Sequence, residues 1–374
     1  MSSRPISNAA LAGLTALFAT SLLAAAQSPS AVERLPRDVL DVAPPSSRVI
    51  GQPGAMHLAE SGCRVPAAPL DAALRQRIVD VAVQEWAYFG FGIVDQSTVE
   101  PAPARGAAAS PRSTTPRDRS RRGRPGRLPA AEAARVAASI AGYWTTTPEG
   151  AWIIDQQNGV WGGPAGIAAR WESPWSAAFI SWVMCASGLS DPDVFLRAVA
   201  HHRYIDQAIR ARDGRAPGSA FVAYDAGEQP IGPGDLLCSG RRPAYLSLAE
   251  RRRQMGQGAT AHCDIVVRVD EARSRILAIG GNVRSAVSMK VLPAERDADG
   301  GLRPFDFSEI ELDDNPYRGA RPVFAHLKLR APAIAADALG ASPTLAALGC
   351  SAAGAPPARR AALEALVGSA TCGS

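Results

Sequence analysis

The sequence has no C-x-x-C pair, and only one of its histidines adjoins a cysteine, His262 before Cys263. Closed zinc sites use closely spaced ligand pairs, so this absence argues against a structural metal, and neither a metal nor a cofactor is expected. The sequence also lacks a basic face. The net charge is +5, yet residues 101–130 carry eight arginines against one aspartate, and everything else sums to −2. No recognition motif accompanies that segment, so no nucleic-acid partner is expected. The apolar run from Ala9 to Leu23 is too short and too poorly flanked to span a membrane.

What is present begins with a targeting segment. Arg4 precedes that apolar run, and Ala24-Ala25-Ala26 offers an A-x-A cleavage site. Residues 1–26 are expected to be removed as a signal peptide, leaving a periplasmic or secreted protein with no stable membrane span. The six cysteines then become disulfide candidates. We expect pairs Cys238–Cys263, on strands taken as neighbours, and Cys350–Cys372, within the tail. Cys185 is expected to be a buried core thiol.

Residues 27–68 are rich in proline and serine and read as a linker. From Asp71 to Gly90 apolar residues recur at three- and four-residue steps, the period of a helix. Residues 97–129 hold Pro, Ala, Ser, Thr and Arg with no apolar period and read as a disordered insertion. A helix resumes over 130–143, a loop is expected over 144–171, and another helix over 191–212. Short strands separated by turn signals follow from Pro233 onward and suggest an antiparallel meander. Residues 331–374 form an Ala-rich tail. Helices first and strands afterwards give an α+β domain over 69–330.

The chain is organised around Trp175-Ser176-Ala177-Ala178-Phe179-Ile180-Ser181-Trp182. Ser173 is the expected N-cap and Pro174 suits the first turn. A stretch this apolar is a buried helix. Ser176 falls in its first turn, where free backbone N–H groups and the positive end of the helix dipole collect. Three later pieces follow in order: Pro233-Gly234-Asp235 entering a strand, His262-Cys263-Asp264-Ile265-Val266 opening another, and Gly280-Gly281-Asn282 at a strand end.

In this order and spacing the chain resembles the papain-like NlpC and CHAP hydrolases, and most closely the bacterial domain-of-unknown-function family 2272. The resemblance implies a papain-like fold, with N-terminal helices packed on an antiparallel β-sheet. It implies Ser176 as nucleophile where the superfamily commonly has cysteine, His262 as base and Asn282 as its orienting group. Asp264, on the same strand face as His262, is an alternative orienting or substrate-contacting group. Trp175 and His202 are candidate pocket-lining residues. The expected activity is acyl transfer, an exported hydrolase cleaving amide bonds of peptidoglycan peptides. The alternatives are a silent module that binds the cell envelope, and an ester or lipid acyl hydrolase.

Overall fold

Asp71 starts the first long helix, because its carboxylate accepts the Leu74 N–H at 2.8 Å. That helix, α1 (Ala72–Tyr88), buries Leu74, Ile78, Val81, Ala82 and Trp86. It ends at Gly90, whose positive φ of 90° suits a residue without Cβ. A computed structural model describes residues 32–98, 130–241, 245–297, 300–307 and 320–351 of this protein. The expected signal peptide, the insertion beyond residue 98 and the end of the tail lie outside the described residues.

The other helices are α2 (Ala130–Trp144), α3 (Gly150–Trp161), α4 (Ser176–Ala186), α5 (His202–Arg212), α6 (Leu248–Arg253) and α7 (Pro343–Ser351). A small hairpin pairs β1 (Val49–Ile50) with β2 (His57–Leu58). The large sheet contains β3 (Gly92–Asp95), β4 (Phe221–Tyr224), β5 (Leu236–Gly240), β6 (Ala261–Asp270), β7 (Arg275–Val283), β8 (Ala286–Arg296), β9 (Leu302–Pro304) and β10 (Val323–Leu329). Its order is β3-β8-β7-β6-β5-β10-β4, with β9 paired to β8. The pairs β5–β6, β6–β7 and β7–β8 run antiparallel, as the meander required, while β3 lies parallel to β8 at the edge. The fold is therefore mixed α+β. The helices are not all N-terminal: α6 interrupts the strands and α7 follows them.

Alternation along β6 sends Cys263, Ile265 and Val267 into the main core, beneath α1 and α4. Val266, with Leu237, Ile276, Ala278 and Leu292, forms a smaller cluster on the other face. All eleven residues of α4 are buried. Truncating one of its large aromatics, Phe179 or Trp182, costs about 3–5 kcal/mol in such a setting.

Asp235 shows what the Pro-Gly-Asp turn is for. Gly234 takes φ +87°, and a Cβ there would meet Arg75. The Asp235 carboxylate accepts from Arg75 Nη1 at 2.7 Å, Leu329 N at 3.0 Å and Gly232 N at 3.0 Å. His326 Nε2 is 2.9 Å away on the same carboxylate. Burial works against this charge, but His326 and Arg75 outweigh it and hold the pKa below the ordinary value. The knot ties α1, β5 and β10 together.

Several expectations need correction. Residues 32–68 are not a slack linker. Arg34 donates to Glu85 at 2.7 Å and to Ser139 at 3.0 Å, and its guanidinium lies 3.5 Å from the Tyr88 ring centroid. Glu85 is fully buried on α1, and it needs that arginine. Cys185 is not a free thiol but a disulfide partner of Cys63, which fastens the same segment to the end of α4. Residues 144–171 contain α3 instead of a continuous loop. The helix expected over 191–212 covers only its last eleven residues. Upstream, side chains take over the backbone groups: Gln207 accepts the Leu196 N–H, and Ser181 exchanges bonds with Ala198. Helix α4 begins at Ser176 with Trp175 in the cap position and no side-chain cap, so Ser173 does not serve there.

The Cys238–Cys263 disulfide expected from the strand order is present, across directly paired residues of β5 and β6. The Cys350–Cys372 pair reaches outside the described residues. Residues 331–348 are not a detached tail, since Leu339 is buried and its N–H binds Val267 O at 2.9 Å. No helix among the described residues is long and apolar enough to cross a membrane.

Candidate functional site

Ser176 opens α4, and its first-turn N–H groups have no capping side chain. Its hydroxyl lies 2.7 Å from Nε2 of His201, not from His262 as the sequence suggested. Ser176 is 8% exposed and His201 4%. His201 stands immediately before α5. That helix is anchored by a buried two-pronged ion pair, Arg251 Nε and Nη2 each 2.7 Å from the Asp206 carboxylate.

The other nitrogen of His201, Nδ1, faces the Tyr204 hydroxyl and the Cys263 backbone N–H, the latter at 3.3 Å. Burial, reinforced by the neighbouring His262, pushes the His201 pKa well below its ordinary value. His201 is therefore neutral and carries one ring proton. A backbone N–H can only donate, so Nδ1 holds the lone pair and Nε2 carries the proton. In this resting tautomer Ser176 accepts a hydrogen bond from His201. For His201 to take the serine proton, the ring proton must sit on Nδ1 and be donated to the Tyr204 oxygen. Burial keeps Tyr204 a neutral phenol, its pKa well above ordinary, so it serves either tautomer as donor or acceptor.

His262 has a different partner. Its Nε2 lies 2.9 Å from Asp264 Oδ1, and Lys290 Nζ lies 2.7 Å from Asp264 Oδ2. Burial lowers the His262 pKa to about 4 despite the carboxylate. Burial works against the Asp264 charge too, but His262 and Lys290 hold its pKa far below the usual range. Nε2 then donates to an ionised Asp264, and the buried Nδ1 has no hydrogen-bond partner among the described residues. The His201 and His262 rings stand 5.3 Å apart between centroids.

The two glycines before Asn282 separate these neighbourhoods. A Cβ on Gly280 would overlap Asp264 Oδ1, and one on Gly281 would overlap Phe179 of α4. Gly280 thus makes room for the His262–Asp264 pair, and Gly281 lets α4 lie close on β7. Asn282 does not hydrogen-bond His262. It takes φ +55° at an irregularity of β7, just before the tight turn Arg284-Ser285, both with positive φ. Asparagine tolerates that left-handed geometry, which gives it a backbone role there.

Asn282 and Trp175 instead share a cleft of about 640 Å³. Its wall includes Trp161, Trp171 and Ile140, with Arg170 and Ser285 also contributing. Trp175 is packed against Phe89 and Tyr143 and directly precedes Ser176 in the chain. His202, a candidate pocket residue, does not line this cleft. It is half-buried and accepts the Ala259 N–H at 3.5 Å.

The sequence reading named His202 and missed its neighbour His201. The signal available was its place just ahead of an amphipathic helix bearing Tyr204. Cys238 and Cys263 are consumed by their disulfide, so neither offers a thiolate to a metal.

Residues 134–307 match the model of a bacterial family described as an uncharacterized protein conserved in bacteria, DUF2272. The matched span contains Ser176, His201, Tyr204, His262, Asp264 and Asn282. No curated protein and no solved structure matches the chain.

Proposed function

We propose that this protein is an acyl hydrolase in which Ser176 is the nucleophile and His201 the base. The observation that supports the reading is the 2.7 Å contact between a helix-opening hydroxyl and a buried neutral imidazole. Ser176 Oγ forms the bond to the acyl carbon while its proton passes to His201 Nε2. The leaving group departs with that proton, and water then releases the acyl group by the same route reversed. Tyr204 holds the Nδ1 proton during the cycle. First-turn N–H groups of α4 face the developing oxyanion. The resemblance to papain-like NlpC and CHAP hydrolases suggests peptidoglycan peptide bonds as substrate. Two disulfides fit an oxidising compartment, and with the N-terminal segment they support export.

A second reading, a silent envelope-binding module, is favoured by the Cys263 N–H on His201 Nδ1 and the slight exposure of Ser176. A serine-directed fluorophosphonate probe separates the two. A hydrolase is labelled, and Ser176→Ala abolishes both labelling and turnover of muropeptides and acyl esters. An unlabelled wild type whose polymer binding equals that of Ser176→Ala makes it a binder.

A further inference from the structure

The cleft lined by Trp175, the residue that precedes Ser176, has a composition that selects its ligand. It is lined by Ala133, Val136 and Ile140 together with Trp161, Trp171 and Trp175. Small residues, Ala165, Ala168 and Ala169, leave it open where larger side chains would fill it. Among the described residues three polar side chains line it, Arg170, Asn282 and Ser285, and no carboxylate does. That lining offers few of the many hydrogen bonds a sugar requires, and nothing to balance a cation.

Arg170 is exposed and has no ion-pair partner among the described residues. The Trp171 indole N–H is buried, with no acceptor among the described residues, and the Trp161 indole N–H is committed to Ala169 O at 3.2 Å. A largely apolar cleft with one exposed guanidinium matches a ligand with a long apolar body and one anionic head.

We propose that this cleft binds medium-chain acyl anions, with the hydrocarbon against the tryptophans and the carboxylate at Arg170. The binding itself does not rest on the hydrolase reading.

The test is titration of the full chain with decanoate, decanol and butyrate, followed by intrinsic tryptophan fluorescence. Decanoate is expected to bind saturably and at least about tenfold more tightly than either decanol or butyrate, since the charge and the chain each contribute. Arg170→Gln should bring decanoate down to the level of decanol. Ala168→Trp, which fills the cleft from an exposed position, should weaken both. Ser176→Ala should bind decanoate as wild type does. Equal affinity for all three probes, or no effect of Arg170→Gln, overturns the proposal. Fluorophosphonate labelling of the same samples keeps the two readings apart. Labelling without decanoate binding sinks the cleft proposal alone, and binding without labelling sinks the hydrolase alone.

Discussion

Two aspartate–histidine pairs are buried in this protein, and they are built alike. In one, Asp235 holds His326 Nε2 at 2.9 Å and Arg75 at 2.7 Å; in the other, Asp264 holds His262 Nε2 at 2.9 Å and Lys290 at 2.7 Å. Each histidine has Nδ1 buried without a partner among the described residues. The first pair joins α1, β5 and β10 and lies in the turn that enters β5. The second lies across β6 and β8, next to the Ser176–His201 contact. A buried His–Asp pair therefore recurs in this fold at a turn remote from Ser176, and by itself it does not single out a base. The candidate base, His201, has no carboxylate hydrogen-bonded to its ring among the described residues. What singles it out is a serine hydroxyl in reach of one nitrogen and a phenol at the other.

The largest expected difference between the pairs is in stability. Asp235→Ala strands a buried arginine, a histidine and two backbone N–H groups, a loss of about 3–5 kcal/mol. For a chain of this size that lowers the melting temperature by roughly 10 °C. Asp264→Ala strands only His262 and Lys290, and the lysine is partly exposed and can swing to water. Its melting temperature should fall by about half as much. Equal losses would show that the second pair is as deeply structural as the first.

Next in size is the dependence on pH. His262 titrates at about 4 in the folded chain, against the ordinary 6.5 when unfolded. Below 6.5 the unfolded chain takes up a proton that the folded chain refuses. The contribution is fully present above 6.5 and is lost as pH falls toward 4, roughly 3 kcal/mol in all. His262→Gln should flatten the fall in melting temperature over that window. An unchanged profile would mean that His262 is not held neutral.

Smaller effects should separate the two glycines. Each alanine substitution overpacks a closed space, at about 1–3 kcal/mol. Gly281→Ala pushes on Phe179 and displaces α4, so fluorophosphonate labelling of Ser176 should slow. Gly280→Ala pushes on Asp264, and labelling should stay near wild type. The opposite pattern would make the His262–Asp264 pair part of the reacting centre.

Much of this architecture was legible in the sequence because it is local. The three- and four-residue steps of α1 and the alternation of β6 each follow from a short-range period, and α4 is apolar but for Ser176 and Ser181. So did the Cys238–Cys263 disulfide, once β5 and β6 were read as neighbours. What was hidden depends on contacts between distant segments. Residues 32–68 look like a linker until Glu85 is known to be buried and in need of Arg34. The irregular run before α5 follows from bonds made by Gln207 and Ser181, which no window over 191–201 contains. His201 was passed over for the same reason: its distance from Ser176 is a matter of tertiary placement. Asn282 shows the converse, since its place in the motif is explained by a left-handed backbone position.

The central claim is that Ser176 is served by His201 and not by His262. The most direct measurement is the rate of fluorophosphonate labelling of Ser176 in His201→Gln and His262→Gln, compared with wild type at pH 7.5. The account predicts a fall of at least about a hundredfold for His201→Gln, the usual scale of losing a general base. It predicts a change within about threefold for His262→Gln, the scale of an indirect effect. A collapse in His262→Gln with His201→Gln unaffected would contradict it and return the base to the opening of β6.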